Sequence, residues 1–327
     1  MFNEAISSKR VLVTGGSGFI GTNMVGALKL LGCSVVSVDR MAPRNSMQVD
    51  SHRAVDLLDE RALTEVVRHF DPHIIFHLAA RTDLDGTSAE DYVDNTLGTE
   101  RLIGALPFAR SLEYVAFASS RLVCAIGYVP RHEQDYCPTT AYGESKVKME
   151  QIIRGSAIDV PWTIVRPTSI WGPWFDVPYR NFFDSIRRGV YVHPRGRKVQ
   201  KSFGYVGNSV HQLIGLAMAG GSSLAGRSTY LCDYEPLELG SWARLIAENF
   251  GRRVHEVPMA ALRGLALLGD AASAVGVKNA PLTSFRLDNL VSPMVHEVDR
   301  LRGIVGELPY SIEAGTVQTV AWMQGRR

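Results

Sequence analysis

Two side chains four residues apart are the clearest candidates for chemistry in this sequence. Tyr142 and Lys146 form the pattern Tyr-x-x-x-Lys in a segment with helical spacing. Residues i and i+4 share one face of a helix, so both side chains can point into one cleft. A free tyrosine, with a pKa near ~10, is a weak base, but a nearby ammonium stabilises its phenolate. Lowering that pKa by about 3 units requires roughly 4 kcal/mol. The pair therefore indicates proton transfer with Tyr142 as the base.

Two hydroxyl side chains precede this pair along the chain. Ser119 and Ser120 follow the apolar run Tyr114–Ala118, which predicts a buried strand. The carboxyl ends of parallel strands line the ligand crevice of an open sheet. A serine at that edge can donate a hydrogen bond to the reacting oxygen or relay its proton.

A glycine-rich segment near the start of the chain predicts a second kind of site. Gly15, Gly18 and Gly21 recur at three-residue spacing, after the β-branched run Arg10–Thr14 and at the start of the helical pattern Gly18–Leu31. Glycines at such a junction let the backbone turn tightly and approach a pyrophosphate, and the helix N-terminus attracts its negative charge. The segment predicts a dinucleotide-binding loop.

The end of the next predicted strand narrows the choice of dinucleotide. Asp39 follows Ser34–Val38. A carboxylate at this position accepts hydrogen bonds from the adenosine ribose hydroxyls and repels a 2′-phosphate, which favours NAD over NADP. Arg40 leaves the alternative open, because a guanidinium there can stack on adenine or bind a 2′-phosphate.

Strands and helices alternate along the chain that must position these residues. This alternation predicts an α/β fold with a doubly wound, Rossmann-type parallel sheet. We expect residues 1–166 to form the dinucleotide-binding domain. Residues 167–327 would form a smaller lobe, mainly for substrate binding, with a strand near Phe203–Val206 returning to the sheet. The other predicted elements are Glu60–Phe70, Ile74–His77, Ala89–Leu106, Tyr142–Arg154 and Trp162–Val165.

Composition excludes several other classes of protein. The 35 basic and 33 acidic residues give a formal charge of +2, which argues against nucleic-acid binding. The most apolar stretch, Pro258–Val277, contains Arg263 and Asp270 and predicts a buried or amphipathic helix rather than a membrane span. We expect no secretory signal, because the first ten residues contain no long apolar run. The four cysteines include no Cys-x-x-Cys pair, so we also expect no metal site and a cytoplasmic location.

Together these motifs resemble the extended short-chain dehydrogenase/reductase superfamily, in its NAD-dependent nucleotide-sugar epimerase/dehydratase branch. The similarity extends over most of the chain and includes the segments Asp56–Leu57, His77–Ala80 and Val165–Pro167. It implies that Ser120, Tyr142 and Lys146 are catalytic. The cofactor contacts that it implies are Gly15, Gly18, Phe19, Ile20, Gly21, Asp39, Arg40, Asp56, Leu57, Leu78, Ala79, Ala80, Asn95, Tyr142, Lys146 and Pro167.

The resemblance is looser in the second lobe, where it implies a nucleotide-diphosphate sugar as the substrate. Lys201 and Arg286 are the candidates for phosphate contacts. The basic run Arg195–Lys198 is either a solvated face or part of a diphosphate clamp. The implied substrate contacts are Ser119, Ser120, Ser169, Asn181, Phe182, Lys201 and Arg286.

Departures from the family pattern limit the reaction. A 4,6-dehydratase usually carries an Asp-Glu pair after the catalytic hydroxyl, where this chain has Arg121–Leu122. Ser169 replaces a common asparagine, which leaves the sugar open. The leading hypothesis is an NAD-dependent epimerase that works through a transient keto-sugar. The alternatives are a keto-sugar reductase or other small-alcohol dehydrogenase, and a non-catalytic dinucleotide-binding protein.

The resemblance also implies a quaternary arrangement. In the family, helices equivalent to Ala89–Leu106 and Tyr142–Arg154 commonly pair with those of a second copy. We therefore expect a homodimer.

Overall fold

The computed structural model describes residues 2–274 and 283–325 of the chain. Strands and helices alternate up to Pro167, and shorter elements follow. The strands in chain order are β1 (Arg10–Thr14), β2 (Ser34–Asp39), β3 (His52–Ala54), β4 (Ile74–His77), β5 (Tyr114–Ala118), β6 (Trp162–Pro167), β7 (Ser169–Trp171), β8 (Val192–Pro194), β9 (Gln200–Lys201), β10 (Phe203–Tyr205), β11 (Arg227–Leu231), β12 (Leu237–Glu238) and β13 (His255–Val257). The helices in chain order are α1 (Phe2–Ser7), α2 (Phe19–Leu30), α3 (Glu60–Phe70), α4 (Val93–Ala105), α5 (Ala141–Gly155), α6 (Tyr179–Arg187), α7 (Val206–Met218), α8 (Leu239–Asn249), α9 (Met259–Ala274), α10 (Ser284–Val291), α11 (Asp299–Val305) and α12 (Ile312–Met323).

A parallel sheet of seven strands is the centre of the described chain. Its spatial order is β11-β6-β5-β4-β1-β2-β3, which confirms the predicted doubly wound, Rossmann-type fold. Val11 and Val13 pack into the core on one face of the sheet, while Leu12 packs on the other. Successive side chains of a strand point to opposite faces, so a strand covered on both sides needs a continuous apolar run.

Helices cover both faces of this sheet. On one face, Met24 of α2 and Leu213 of α7 pack against the strands. On the other face, Leu102 of α4 and Met149 of α5 do the same. The amphipathic patterns read from the sequence therefore become two helical layers around one buried sheet.

The strand order reverses at β1. The chain builds β1, β2 and β3 outwards in one direction and then crosses to β4, which pairs with the opposite edge of β1. Thr14 and His77 lie side by side in the register of that pair. A crevice forms at such a switch point, beyond the carboxyl ends of the strands.

The strand that returns to the sheet needs a correction. The predicted segment near Phe203–Val206 does form a strand, β10, but β10 pairs with β7 in a separate two-stranded sheet. The returning strand is β11, which pairs with β6. A short apolar run predicts that a strand exists, but its partner depends on where the chain path places it.

The residues beyond β6 build a second, aromatic core. Trp171 packs against Trp242 with ring centroids 4.9 Å apart and against Tyr205 at 5.1 Å. Phe183 and Val320 complete the cluster, so α6, α8 and α12 pack around β7. This core fixes the second lobe against the end of the sheet where the crevice lies.

The long apolar stretch near residue 258 forms the amphipathic helix α9. Leu262 and Ala266 are buried against Leu287 of α10, whereas Leu267 and Leu268 are exposed. Residues 275–277 of the stretch lie outside the described residues. In the described ranges, every helix is too short or too polar to cross a bilayer.

Candidate functional site

The loop between β1 and α2 turns so tightly that only glycine fits at its key positions. Gly15 has a φ of +72°, and a Cβ on it would lie 2.5 Å from the backbone nitrogen of Ala79. A Cβ on Gly21 would lie 2.0 Å from the carbonyl oxygen of Gly15. The Gly18 amide donates to that same oxygen at 3.0 Å. The loop therefore holds the amino end of α2 open towards the crevice.

A cavity lies directly beside this loop, at the ends of β1, β2 and β4. Asp39 stands at its edge, where its carboxylate accepts hydrogen bonds from the amides of Ser17 (3.1 Å) and Met41 (2.9 Å). The glycine backbone on one side suits the pyrophosphate of a dinucleotide, and the small apolar side chains on the other side suit its flat rings. The cavity is lined by Gly15, Gly18, Val38, Asp39, Arg40, Val55, Asp56, Leu57, Leu78, Ala79, Ala80 and Asp94.

Arg40 lies between two carboxylates. Its guanidinium donates to Asp94 Oδ2 at 3.2 Å and is 3.9 Å from Asp56 Oδ2. These acids neutralise the positive charge of Arg40, which would otherwise attract a 2′-phosphate. Their own negative charges would repel that phosphate. The geometry therefore favours NAD over NADP.

Ser120 and Tyr142 meet at the carboxyl end of β5. Both side chains are almost fully buried, and the Ser120 hydroxyl accepts a hydrogen bond from the Leu122 amide at 3.1 Å. Burial raises the pKa of Tyr142 to about 12, although a hydrogen bond with the Ser120 hydroxyl acts in the opposite direction. The expected lowering of this pKa by Lys146 is thus not produced by the protein's own groups.

Lys146 is directed towards the sheet. Its ammonium donates to the carbonyl oxygen of Ala118 at 2.9 Å and approaches the Met149 sulfur at 3.3 Å. Burial lowers the pKa of Lys146 to about 7, while Glu150 acts to raise it. Its hydrogen bonds within the described chain therefore leave Tyr142 uncontacted.

A buried ion pair lies beneath these residues, and the sequence reasoning missed it. Arg166 Nε and Nη2 donate to the two oxygens of Glu150 at 2.8 and 2.7 Å, with both side chains at most 3% exposed. Tyr136 donates to the same carboxylate at 2.9 Å. The available signal was spacing, since Glu150 follows Lys146 by four residues on the face that also carries Tyr142.

The position of Ser119 corrects one prediction. Its hydroxyl donates to Glu150 Oε1 at 2.6 Å, and the residue is buried. It therefore belongs to the ion-pair network rather than to a substrate surface. Adjacent residues at a strand end point in opposite directions, so only Ser120 of the two faces the crevice.

Asn95 also differs from its predicted place. It is fully buried. Its Oδ1 accepts a hydrogen bond from the Arg81 amide, and its Nδ2 donates to the Arg81 carbonyl oxygen and, at 2.9 Å, to the Ser145 hydroxyl. Ser145 in turn donates to the carbonyl oxygen of Tyr142. Asn95 thus holds the first turn of α5 in place instead of lining the cavity.

The remaining predicted cofactor residues flank the cavity. Phe19 and Ile20 pack against the aromatic core of the second lobe, with the Phe19 ring 6.3 Å from that of Phe175. Pro167 ends β6 beside Leu231. These residues support the crevice without appearing in the cavity wall.

The predicted substrate residues of the second lobe are dispersed. Ser169 is buried and accepts a hydrogen bond from Tyr179 at 2.6 Å. Phe182 stacks on Trp242 in the lobe core, while Asn181 is exposed on α6. The run Arg195–Lys198 is exposed at every residue, which favours the solvated face over a clamp.

The two candidate phosphate contacts are both associated with α10. The Lys201 ammonium is buried and donates to the carbonyl oxygens of Asn289 (2.8 Å) and Ser292. Burial and nearby Arg121 lower its pKa to about 8. Arg286 is exposed on α10. Lys201 thus neutralises the negative end of a helix dipole, a structural use of its charge that sequence could not reveal.

Over residues 2–274 and 283–325, no group of three or more His, Cys, Asp or Glu side chains is arranged to hold a metal ion.

Comparison with known proteins shows similarity to a family of NAD-dependent enzymes. Residues 11–199 match the model of the NAD dependent epimerase/dehydratase family. A ketoreductase from Stigmatella aurantiaca, named for a farnesylated dihydroquinoline oxide, is 29% identical over 85% of each chain. A 3 beta-hydroxysteroid dehydrogenase/Delta 5-->4-isomerase from Mycobacterium tuberculosis (strain ATCC 25618 / H37Rv) is 31% identical over 75% of this chain and 70% of its own.

Epimerases are also among the similar proteins. A 4-epimerase of N-acetylglucosaminyl-diphospho-undecaprenol from Escherichia coli O157:H7 is 23% identical over 95% of this chain and 94% of its own. The crystal structure of Thermus thermophilus UDP-glucose 4-epimerase in complex with NAD superposes with a TM-score of 0.70, at 21% identity, over 97% of this chain and 99% of that one. The match in structure extends to both lobes.

Substitution of Gly21 tests the loop geometry. In Gly21→Ala the new Cβ would press on the carbonyl oxygen of Gly15, which is backbone and cannot move aside. We expect at least tenfold weaker NAD binding by calorimetry, and a lower melting temperature. Gly104→Ala is the matched control, because no heavy atom lies within 4 Å of its Cβ and alanine favours a helix by about 1 kcal/mol. NAD affinity equal to wild type in Gly21→Ala would contradict this geometry.

Substitution of Glu150 tests the buried ion pair. Glu150→Gln keeps the shape but leaves Arg166 charged and unpaired, which typically lowers the free energy of unfolding by about 3 to 5 kcal/mol. Glu144→Gln, on the exposed face of the first turn of the same helix, should lower it by no more than about 1 kcal/mol. Urea unfolding of the three proteins measures the difference. Equal midpoints and slopes would show that the pair contributes little to stability.

Proposed function

Because the chain belongs to the NAD dependent epimerase/dehydratase family, we propose that it is an NAD-dependent epimerase of a nucleotide-activated sugar. The observation that carries the proposal is the meeting of Ser120 and Tyr142 at the crevice beside the NAD cavity. The similarity to named sugar epimerases over nearly the whole chain supports the same reaction class. Residues 1–166 would bind the cofactor, and residues 167–327 would mainly bind the substrate.

The cavity beside the glycine loop fits NAD, and each part of its wall has a role in the proposal. The open backbone at Gly15 and Gly18 receives the pyrophosphate, and Asp39 accepts the ribose hydroxyls. Leu57 and Ala79 supply apolar surface for the rings. When bound, NAD accepts a hydride from the sugar and can return it, which is the redox chemistry that the side chains cannot supply.

The side chains perform the proton transfer. Tyr142 as phenolate removes the proton of a sugar hydroxyl, and Ser120 holds or relays that proton. Burial disfavours the phenolate, so Tyr142 needs a positive charge nearby. Lys146 lies one turn away with its ammonium on Ala118, and a change of rotamer would bring it closer. The sugar is oxidised to a keto-sugar, turns in the crevice and is reduced on its opposite face.

A second candidate is a true reductase or alcohol dehydrogenase that exchanges its cofactor. Its support is specific, because two of the similar proteins are named as a ketoreductase and a hydroxysteroid dehydrogenase. The same serine, tyrosine and lysine serve that chemistry. A dehydratase is less well supported, since Arg121 and Leu122 follow Ser120 where an acidic pair is expected. A non-catalytic nucleotide-binding protein has no use for the Ser120–Tyr142 pair.

The fate of the cofactor decides between the two enzymes. An epimerase converts the sugar with no net change in absorbance at the NADH band, because the hydride returns to the substrate. We expect sugar inversion in a panel of nucleotide-sugars followed by chromatography, without NADH accumulation. Tyr142→Phe should reduce turnover by at least a hundredfold while leaving NAD affinity near wild type. Stoichiometric NADH formation would support the dehydrogenase instead, and full activity of Tyr142→Phe would remove both.

We also propose a homodimer through α4 and α5. The two helices pack side by side. Lys148 of α5 donates to Glu90 at 2.7 Å, in the 3₁₀ turn Ala89–Tyr92 that precedes α4. Val93 is partly exposed on the same surface. Light scattering should give twice the chain mass in solution, and a monomer mass would contradict the proposal.

A further inference from the structure

Arg121 occupies a position beside the proposed reaction centre that its family resemblance did not explain. It directly follows Ser120, which caps the 3₁₀ turn Arg121–Val123 at the end of β5. Its side chain is half-buried, and burial lowers the pKa of Arg121 although Tyr179 and Tyr230 act to raise it. The guanidinium therefore lies within the electrostatic reach of two tyrosine hydroxyls, close to the end of β5, which Ser120 follows.

The charge of Arg121 is left without an acidic partner. In the parts of the chain that the structure describes, no carboxylate lies within ion-pair distance of it. Glu150 and Glu133 pair with other arginines, Glu150 with Arg166 and Glu133 with Arg154 and Arg227. A half-buried cation without a counterion loses part of its hydration, and an anion bound beside it would offset that loss.

One further ionisable side chain lies near Arg121. The pKa of His296, in the segment before α11, is lowered by burial and then by Arg121, so its ring lies within the electrostatic reach of the guanidinium. Lys201 lies within the same reach, but its ammonium is bound to the carbonyl oxygens at the end of α10. The His296 ring stacks on Tyr230 with centroids 3.8 Å apart. Its Nε2 atom is buried and has no hydrogen-bond partner among the described residues. An anion at this point would accept hydrogen bonds from Arg121 and from His296 in the tautomer that carries its proton on Nε2.

We propose that Arg121 binds a carboxylate on the reacting sugar, so that the substrate is the nucleotide derivative of a sugar acid. This inference rests on the proposed function and names the substrate class. A guanidinium is planar and carries paired donors that match the two oxygens of a carboxylate. Because Arg121 adjoins Ser120, the anion it binds lies at the reacting end of the substrate. Arg121 is then a specificity-determining residue.

The test first identifies which of UDP, dTDP, GDP and CDP binds most tightly to the NAD-loaded enzyme. The glucuronate and glucose derivatives of that nucleotide are then compared by calorimetry and by turnover. We expect the glucuronate derivative to be preferred at least tenfold in kcat/KM. Arg121→Gln should lose that preference by raising KM for the glucuronate derivative at least tenfold, with little change for the nucleotide alone or the glucose derivative.

Two further variants keep the result interpretable. Arg121→Lys should recover part of the preference, because it restores the charge without the planar fork. Arg300→Gln, at an exposed arginine of α11, should match wild type. Melting temperatures of all variants check folding, and Arg121→Gln should be no less stable than wild type, since it removes an unpaired buried charge.

Other outcomes overturn the inference in distinguishable ways. If Arg121→Gln weakens the nucleotide alone as much as both sugars, Arg121 binds the diphosphate. If wild type turns over the glucose derivative as well as the glucuronate derivative, the sugar-acid class is wrong while the epimerase proposal stands. If no nucleotide-sugar binds or reacts, the epimerase proposal fails and this inference fails with it.

Discussion

The buried pair of Glu150 and Arg166 is the interaction on which the rest of the site depends. It joins α5 to β6, and the side chains of Ser119 and Tyr136 bind the same carboxylate from two further elements. A carboxylate removed from water requires several donors to offset its desolvation, and this one has them. The four segments are thereby fixed relative to one another beneath the crevice, in an interior that tolerates only one arrangement.

That arrangement determines the positions of the reactive side chains. Because Ser119 is held by Glu150, the next residue, Ser120, faces the other way and meets Tyr142. Lys146 lies one helical turn from Glu150, and its ammonium reaches the end of β5. Burial of Tyr142 disfavours its ionisation until a cation approaches. Such a site suits a base that should act only when the cofactor is bound.

The second lobe uses its charges differently from the first. Lys201 is bound to the carbonyls at the end of α10, and the run Arg195–Lys198 is solvated, so neither is held ready at the crevice. Arg121, in the turn that follows β5, has no ion-pair partner among the residues that the structure describes. We therefore expect substrate recognition to depend less on the second lobe than on this one residue, which the turn at the end of β5 holds in place.

The amino-acid sequence determined the features that depend on local chemistry. Apolar runs bounded by glycine and acid predicted β1, β2, β4, β5 and β6, and helical spacing predicted α2, α3 and α5, because periodicity of 2 or 3.6 reflects burial directly. The glycine loop was readable too, since only glycine fits at Gly15 and Gly21. Tertiary structure alone decided what depends on long-range neighbours. It made β11 the strand that returns to the sheet, and it directed the side chains of Ser119 and Asn95 into buried hydrogen-bond networks. It also bound Lys201 to the end of α10 and left Arg121 without an ion-pair partner among the described residues. A side chain's type states which partners it can take, but the partner it takes is set by segments distant in sequence that packing brings within 3 Å.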